Sequence, residues 1–308
     1  MKILFMGTPE FAQKSLEALI ENNYNIVGVF TQPDKPKGRG MKLAPPPVKE
    51  IALKHNIPVF QPKSLKDQET FEIIKNLDPD VIAVAAYGKI LPKNILDYPK
   101  YGCINVHASL LPKYRGASPI QWCIIRGEEK SGVTIMYMNE GLDTGDMILK
   151  EEVPIPEDMT AGELHDILAE LGAKLLVKTL KDIKGGKITR TPQDDSKASY
   201  APMLTKETGE INWQKSAREI KNLVRGLCPW PVAYTKHEGR VIKVYSVKIV
   251  DMKGKPGEVL VSNDRDGLIV ACSDGALLLD EIQIEGKRRM KSTEFLRGHR
   301  IDEGITLG

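Results

Sequence analysis

Short apolar runs alternate with amphipathic stretches along the first half of the chain. Five of these runs have the length and composition of buried strands: Ile3–Met6, Ile26–Phe30, Val81–Ala85, Cys103–Val106 and Val133–Met138. Between the first two, Thr8 is a typical N-cap residue, Pro9 suits the first helical position, and the segment that follows has apolar residues along one face. A strand, a helix and a second strand in this order predict a βαβ unit. We therefore expect an α/β fold with a Rossmann-like parallel sheet.

The second half of the chain has a different pattern. Thr160 and Glu163 form a capping-box pattern, and the apolar spacing behind them predicts a helix that runs to about Ile183. Residues 184–206 are rich in polar residues, glycine and proline, as linkers are. A further helix is predicted over residues 215–227. Short alternating runs then predict a small β-barrel or sandwich: Val241–Val250, Gly257–Val261, Leu268–Ala271 and Ala276–Ile284.

Composition and charge narrow the class of protein. Of the 308 residues, 41% are hydrophobic and 28% are charged, which is enough apolar material for an ordinary core. The longest apolar runs are far shorter than the roughly 20 residues that a membrane helix needs, and the N-terminus has no signal-peptide pattern. We therefore expect a soluble, cytoplasmic protein with no membrane partner. The cysteines and histidines lack metal-binding spacing, so no metal is predicted.

The segment from Pro33 to Pro47 is unusual in both length and composition. It is rich in proline and basic residues and lies between a predicted strand and the next helix. A loop of this length inside a compact domain is uncommon and is usually functional or mobile. Composition alone leaves a binding loop and a mobile surface excursion equally open.

Asn105 and His107 are the first candidates for chemistry. They lie at the carboxyl end of a predicted parallel strand, and the two-residue period of a strand places them on the same side. Ligands of open α/β sheets bind outside these strand ends, where an amide and an imidazole can stabilise an oxyanion. A single histidine at a strand end is, however, more often a packed or capping residue. Asp143, between Gly141 and Gly145, would by itself be a turn residue.

Two longer motifs change this interpretation. One runs from His107 to Pro119 (HASLLPKYRGASP) and the other from Gly141 to Asp146 (GLDTGD). With Asn105 in front of the first, they resemble the motifs of the folate-dependent formyltransferases. Over residues 1–305 the chain looks most like the members of that family that act on methionyl-tRNA. Further matching segments are Phe5–Ala12, Thr31–Asp34, Gly38–Gly40, Ala86–Pro92, Ala117–Gln121 and Pro229–Pro231.

The resemblance implies both an architecture and a reaction. It implies a Rossmann-like formyltransferase catalytic domain over residues 1–189, a linker over 190–206 and a C-terminal OB-like tRNA-binding β-barrel over 207–308. The implied reaction transfers the formyl group of the co-substrate 10-formyltetrahydrofolate to the α-amino group of methionyl-initiator tRNA, for translation initiation. The partners expected from the resemblance are therefore a folate and the initiator tRNA.

The resemblance also assigns roles to individual residues. By match to the family's triad, Asn105 and His107 hold the developing oxyanion. Asp143 orients His107, favours its protonated form and helps to relay the proton of the amine. Folate is expected to lie against two segments whose backbone groups can match its pyrimidine-like edge: Gly88, Lys89, Ile90, Leu91, Ser109, Leu110, Leu111 and Pro112. No covalent nucleophile and no metal is implied.

Local charge supports an RNA partner. Basic residues outnumber acidic ones over residues 215–255 and again over 286–300, although the net charge of the whole chain is only +3. Lysine and arginine that neutralise phosphates make RNA affinity depend on salt. A run of charge is usually a solvated face, but its position on an OB-like module favours RNA. The predicted tRNA-binding residues are Lys37, Arg39, Lys42, Lys243 and Lys248.

Two other readings stay open at this stage. Formyltransferases that act on a ribonucleotide or on an amino sugar share the Asn, His and Asp motif residues, although the basic Pro33–Pro47 segment and the C-terminal module favour the tRNA enzyme. A non-catalytic RNA-binding protein could keep the same fold, but the intact Asn105, His107 and Asp143 argue against it. We expect a monomer, because one RNA per chain requires no symmetry.

Overall fold

A seven-stranded sheet forms the centre of the first of two units into which the chain divides. The structure is a computed structural model that describes residues 1–37 and 42–308, without the side chains of Lys37 and Lys42. Unit 1 comprises Met1–Pro119, Lys130–Val153 and His165–Ala201. Unit 2 comprises Ile120–Glu129, Pro154–Leu164 and Pro202–Gly308.

The elements are numbered in chain order. The described strands are β1 (Lys2–Gly7), β2 (Asn25–Phe30), β3 (Lys35–Lys37), β4 (Lys42–Ala44), β5 (Val59–Phe60), β6 (Val81–Ala85), β7 (Cys103–His107), β8 (Lys130–Tyr137), β9 (Met147–Pro154), β10 (Ala233–His237), β11 (Arg240–Val250), β12 (Val259–Asn263), β13 (Gly267–Ala271), β14 (Ala276–Ile284) and β15 (Met290–Lys291). The described helices are α1 (Glu10–Glu21), α2 (Pro47–Lys54), α3 (Gln68–Leu77), α4 (Lys93–Leu96), α5 (Pro119–Ile125), α6 (Ala161–Lys184), α7 (Ala217–Gly226) and α8 (Ser292–Leu296). Asp195–Lys197 and Glu207–Gly209 form single 3₁₀ turns.

The strand order in the sheet of unit 1 is β5-β2-β1-β6-β7-β8-β9. β1 pairs in parallel with β2 on one side and β6 on the other, and β6 pairs in parallel with β7. The direction of winding therefore reverses between β1 and β6, and such a switch point leaves a crevice for ligands at the carboxyl ends of the strands. β8 runs antiparallel to β7, a reversal that its apolar sequence does not reveal.

The central strands of this sheet are buried on both faces. Ile3, Leu4, Phe5 and Met6 in β1 are all fully buried, although successive side chains point to opposite faces. Such near-continuous burial is typical of parallel strands covered on both sides. Each side chain of this size contributes about 1.5–3 kcal/mol when it is removed from water. The predicted Rossmann-like sheet is confirmed.

Unit 2 is built on an antiparallel sheet with the order β10-β11-β14-β13-β12, and β15 pairs with β14. α7 begins with a capping box between Ser216 and Glu219. Its apolar residues join the core of the sheet. Near the chain's end, Val259 N donates to Ile305 O at 2.9 Å and Gly308 N donates to Lys236 O at 3.1 Å. Residues 304–308 therefore bridge the two edge strands, β12 and β10, and the predicted β-rich C-terminal module is confirmed.

The local signals that predicted helix ends are mostly found in place. Thr160 N donates to Glu163 Oε2 at 2.8 Å and Glu163 N donates to Thr160 Oγ1 at 3.3 Å, so this capping box forms. α1 begins at Glu10 with Pro9 as its N-cap residue, so the predicted start, with Thr8 as N-cap and Pro9 as the first helical residue, is one residue early. The Thr8 hydroxyl donates to the Tyr87 carbonyl. Within residues 1–37 and 42–308, none of the helices combines the length and apolar character that a membrane-spanning segment requires.

Candidate active site

Asn105 and His107 lie at the carboxyl end of β7, in the interior of the sheet. Asn105 is opposite Val84 of β6 and opposite Met136 of β8, so pairing on both sides fixes its backbone. Its side chain is half-buried and makes no hydrogen bond to any residue that the structure describes. His107 is only 5% exposed. The amide is therefore available to a ligand, whereas the imidazole is packed inside the protein.

The orientation of the His107 ring follows from its hydrogen bond. Nε2 lies 2.9 Å from the carbonyl oxygen of Tyr114. Because a carbonyl can only accept, Nε2 carries the proton of this bond. The other nitrogen, Nδ1, then faces Oδ2 of Asp143 at 3.7 Å. Tyr114 has a φ of 62°, a left-handed conformation that non-glycine residues adopt rarely and often at functional sites.

Asp143 reaches His107 from a separate turn of the chain. Its Oδ2 accepts a hydrogen bond of 2.8 Å from the backbone N–H of Gly116. Its own φ is 53°, so the residue is held in the left-handed region. The distance of 3.7 Å to His107 is within reach of an ion pair but too long for a direct hydrogen bond. The structure thus brings the imidazole and the carboxylate of the predicted triad together.

The segment after β7 is fixed by Thr134 of the neighbouring strand. Thr134 Oγ1 donates to Ser109 O at 2.7 Å and accepts from Leu111 N at 3.2 Å. The Ser109 hydroxyl donates to Lys113 O at 2.7 Å. Ser109 and Leu111 are buried, while Leu110 and Pro112 are partly exposed. A ligand at this turn would therefore meet backbone groups and the sides of Leu110 and Pro112.

The segment after β6 is held by hydrogen bonds to its backbone. The Tyr87 carbonyl accepts from Thr8 Oγ1 at 3.3 Å and from Gln32 Nε2 at 3.0 Å. Gly88 follows with a φ of 80°, which a side chain would disfavour. Since Ala85 pairs with Val106, the segments after β6 and β7 start at adjacent positions on the same edge of the sheet.

The predicted folate-binding residues of this segment differ in exposure. Ile90 is 82% exposed, whereas Leu91 is 2% exposed and packs in the core. Lys89 Nζ donates to the carbonyl oxygens of Pro62 and Lys63, and burial lowers its pKa from the usual value. The segment therefore offers a ligand the Ile90 side chain and its backbone, while Lys89 and Leu91 face the protein.

The basic segment begins as a β-hairpin with a fixed base. β3 and β4 pair antiparallel, with Lys37 opposite Lys42. Asp34, just before β3, accepts from Lys49 Nζ at 2.8 and 2.9 Å, and this hydrogen bond lowers the pKa of Asp34. Gln61 Nε2 also donates to Asp34 Oδ1, at 2.8 Å. Arg39 lies outside the described residues, as do the side chains of Lys37 and Lys42.

Basic residues of unit 2 differ in how far acidic neighbours neutralise them. Lys243 is exposed on β11 and makes no ion pair with the part of the chain that the structure describes. Lys248 lies 3.9 Å from Asp280, which is also paired with Lys291 at 2.8 Å. Exposed basic residues of unit 2 that likewise have no ion pair among the described residues include Lys206, Arg240, Lys253, Lys255, Lys287 and Arg297. Of the two lysines of unit 2 that were predicted to contact RNA, Lys243 is therefore the one whose charge is less neutralised.

Two residues close to this site were not singled out from the sequence. Arg115 is buried and donates to the side chains of Gln193 and Asp195. Gln193 in turn donates to the carbonyl oxygens of Asp143 and Gly145. Arg115 belongs to the motif after His107, but its burial is not visible in the sequence. Gln193 lies in a segment of linker composition, where no local signal points to a role.

An amide, an imidazole and a carboxylate at the edge of an open α/β sheet form a site suited to acyl transfer. The chain matches the formyl transferase family over residues 1–180 and the C-terminal domain of formyl transferases over residues 203–300. It is 55% identical over 310 residues to the methionyl-tRNA formyltransferase of Alkaliphilus oremlandii, and the alignment covers 100% of both chains. The chain belongs to the formyl transferase family. The prediction of a formyltransferase enzyme is confirmed.

Solved structures with the same fold include two that hold a folate compound. HypX from Aquifex aeolicus in complex with tetrahydrofolic acid matches with a TM-score of 0.67 and 19% identity, over 99% of this chain and 50% of that chain. The N-formyltransferase from Helicobacter canadensis in complex with folinic acid and dTDP-3-aminofucose matches with a TM-score of 0.66 and 20% identity, over 90% of this chain and 97% of that chain. At such identities the similarity supports the fold alone.

Proposed function

We propose that this chain transfers the formyl group of 10-formyltetrahydrofolate to the α-amino group of methionyl-initiator tRNA. The observation that carries the proposal is the 55% identity, over the full length of both chains, to a protein named methionyl-tRNA formyltransferase. The similarity includes the C-terminal domain, matched over residues 203–300. Translation takes place in the cytoplasm, so we place the reaction there. We expect the enzyme to act as a monomer.

The folate would bind at the strand ends after β6 and β7. The chemistry of the two segments fits such a ligand, because Ile90 offers an exposed apolar surface and the neighbouring backbone offers donors and acceptors. Gly88 leaves this backbone open to close approach: apart from its two chain neighbours, the one described residue within 4 Å of the position of a Cβ is Gln32, through the end of its side chain. The folate supplies the formyl group, and the residues of the site orient it.

Three side chains of the chain would carry the transfer itself. The attacking amine loses a proton as the carbonyl oxygen of the formyl group gains negative charge. The Asn105 amide and Nδ1–H of the His107 ring, in its form with a proton on both nitrogens, would hold that oxygen. Asp143 would accept the proton at Oδ1, which makes no hydrogen bond to a described residue, while Gly116 N fixes Oδ2. The adduct would then collapse by breaking the bond between the formyl carbon and N10 of the folate, and Asp143 would return the proton to N10.

The 3.7 Å between Nδ1 of His107 and Oδ2 of Asp143 supports this assignment. In a tetrahedral adduct, the oxygen and the attacking nitrogen are bonded to the same carbon and are therefore close together. His107 can therefore donate to the oxygen while Asp143 accepts the proton of the nitrogen. Nε2 is occupied by the Tyr114 carbonyl, so Nδ1 is the ring nitrogen left for the reaction.

The RNA would be held by basic residues at two places. The sequence from β3 to β4 includes Lys37, Arg39 and Lys42, and the contact between Lys49 and Asp34 holds the chain just before β3. β11 carries Lys243 with Lys248. Lysine and arginine at such places neutralise phosphates and position the RNA without reading its sequence.

The experiment that tests the function is a comparison of acceptors. The protein is incubated with 10-formyltetrahydrofolate and one of four acceptors: methionyl-initiator tRNA, uncharged initiator tRNA, an amino sugar nucleotide and an amino ribonucleotide. Mass spectrometry then detects the formylated amine. We expect formylmethionine from the first acceptor alone. Formylation of the sugar or the ribonucleotide, without formylmethionine, would contradict the proposal.

A further inference from the structure

A buried arginine fixes the orientation of the Gln193 amide. Arg115 is only 2% exposed, and its Nε and Nη2 donate to Gln193 Oε1 at 3.1 and 2.8 Å. Nη2 also donates to Asp195 Oδ1 at 2.7 Å, which supplies the opposite charge that a buried guanidinium requires. Because a guanidinium only donates, the amide oxygen of Gln193 must face Arg115. The amide nitrogen therefore points the other way.

That nitrogen clamps the turn that carries Asp143. Gln193 Nε2 donates to the carbonyl oxygens of Asp143 and Gly145, each at 2.8 Å, and so uses both of its hydrogens. The turn needs such support, because Asp143 has a φ of 53° and a left-handed residue persists only where its surroundings hold it. A Cβ at Gly145 would lie 1.8 Å from the Tyr137 carbonyl oxygen, so the turn is also packed closely against β8.

The side chain of Asp143 is held by the residue next to Arg115. Gly116 N donates to the same carboxylate oxygen that faces His107. The backbone of Arg115 is itself fixed, since its N–H donates to Ser199 O at 2.8 Å and its carbonyl accepts from Ala201 N at 2.7 Å. Asp143 is thus held in two ways. Gly116 N binds its carboxylate directly, and Arg115 holds its backbone carbonyl through Gln193.

We propose that Gln193, oriented by Arg115, is a positioning residue that holds Asp143 opposite His107 during formyl transfer. The inference rests on the proposed function for the reaction that it serves. Gln193 acts on Asp143 through backbone carbonyls, so loss of the clamp should affect the chemical step. We therefore expect a lower kcat with little change in the KM of either substrate.

Gln193→Glu is the sharpest test of this role. Glutamate keeps the size and the contact with Arg115, but it replaces the donating NH₂ by an oxygen that faces two carbonyls. We expect kcat to fall on the order of 10- to 100-fold, the range over which a small misplacement of a catalytic group acts. KM for both substrates should change by less than about twofold. Gln214→Glu, the same change at an exposed position of unit 2, should leave kcat and KM as they are.

A second variant guards against a trivial loss of folding. Gln193→Met removes both hydrogens of the amide without adding charge, and thermal unfolding of each variant shows whether the native fold is kept. Both variants should lower kcat while the melting temperature stays within a few degrees of the unmodified protein. A folded Gln193→Met protein with full kcat would overturn the proposal.

A double-mutant cycle separates positioning from general damage. If Gln193 acts through Asp143, then Gln193→Glu in an Asp143→Asn background should lower kcat by no more than about threefold, because the coupled pair is already broken. An equal loss in both backgrounds would mean that Gln193 acts independently of Asp143, and it would overturn the proposal.

A measurement without turnover distinguishes this inference from the proposed function. The ring nitrogens of His107 are observed by ¹⁵N NMR in the free protein and assigned with His107→Gln. The Nδ1 signal should shift in Gln193→Glu and Gln193→Met in the same direction as in Asp143→Asn. A folded Gln193 variant with an unchanged His107 signal would overturn the clamp. If the unmodified protein failed to formylate methionyl-tRNA, the function would be wrong, while this result would still test the clamp.

Discussion

Nδ1 of His107 lies 3.7 Å from Oδ2 of Asp143, and neither atom can turn away freely. The ring is held at its far side by the Tyr114 carbonyl, and the carboxylate is held by the N–H of Gly116. The gap is too long for a direct hydrogen bond, so each group keeps capacity for a substrate atom. A fixed imidazole beside a fixed carboxylate can act on the two polar atoms of one reacting carbon. We therefore expect the loss of either group to lower the rate of formyl transfer.

Asp143→Asn is expected to lower turnover by about 10²- to 10⁴-fold, the usual contribution of a positioned acid or base. The amide keeps the shape of the side chain, and its oxygen can still accept from Gly116 N. It cannot take up the proton of the amine or pair with a charged imidazole. Steady-state kinetics with saturating folate and methionyl-tRNA measure the effect, while tRNA binding and thermal unfolding should stay nearly unchanged.

Asp264→Asn is the matched control for this change, because Asp264 is an exposed aspartate in the turn between β12 and β13. It should leave turnover unaltered. Near-normal turnover of Asp143→Asn would contradict the assignment of Asp143, whatever its distance to His107.

Asn105→Ala should lower kcat by about 10²- to 10³-fold, the loss that follows removal of one oxyanion donor. The Asn105 amide has no hydrogen bond to a described residue, so its removal should leave the melting temperature nearly unchanged. Asn76→Ala, at an exposed position of α3, is the corresponding control. If Asn105→Ala raised KM for folate and left kcat intact, the side chain would be a binding contact rather than an oxyanion donor.

Local patterns predicted most of the fold because most of the core strands carry a strong apolar signal. β1 and β6 are buried on both faces and contain the continuous apolar runs Ile3–Met6 and Val81–Ala85. β9 was missed, since it is an edge strand in which Lys150, Glu151 and Glu152 are exposed. β10 follows Pro229-Trp230-Pro231 and is short, so its assignment depends on pairing with β11, which is a non-local contact.

The candidate site could be predicted only in part for a similar reason. Asn105 and His107 are two residues apart on one strand, so strand geometry alone puts them together. The meeting of His107 with Asp143 depends on how separate segments pack, and the motif suggested it only through resemblance. The Gln193 clamp had no sequence signal at all, because a glutamine in a polar segment looks the same whether it is solvated or bonded to a buried arginine.

Lys243→Glu is expected to weaken tRNA binding and to reduce the slope of log affinity against log salt by about one or more. Lys243 is exposed and has no ion pair among the described residues, so its charge is available to a phosphate. Lys248→Glu should have a smaller effect, since Lys248 shares Asp280 with Lys291. The double variant Lys243→Glu with Lys248→Glu should bind folate normally, and binding isotherms at several salt concentrations measure each slope.

Lys174→Glu provides the control for charge reversal, because Lys174 is exposed on α6 in unit 1. It should change the salt slope less than Lys243→Glu does. An unchanged slope of log affinity against log salt in the double variant would show that Lys243 and Lys248 do not contact the RNA.

The hairpin of β3 and β4 should keep its direction only while its base is intact. Lys49 Nζ contacts both carboxylate oxygens of Asp34 and Gln61 Oε1, at 2.8 to 2.9 Å. Lys49→Met removes these three contacts at similar side-chain length. We expect it to raise KM for methionyl-tRNA several-fold, with little change in KM for folate. An unchanged KM for tRNA would mean that the base does not orient the hairpin for RNA.

Arg39→Ala should damage formylation of methionyl-tRNA far more than it damages folate binding. Arg39 is flanked by Gly38 and Gly40, and the lack of a Cβ at both glycines allows close approach to an RNA backbone. Arg265→Ala, at an exposed arginine between β12 and β13, is the control and should leave formylation intact. Limited proteolysis gives an independent measurement, because trypsin cleaves after Lys37 and Arg39, whereas Pro36 blocks cleavage after Lys35. Saturating initiator tRNA should slow this cleavage. Equal rates with and without tRNA would show that the hairpin does not contact the RNA.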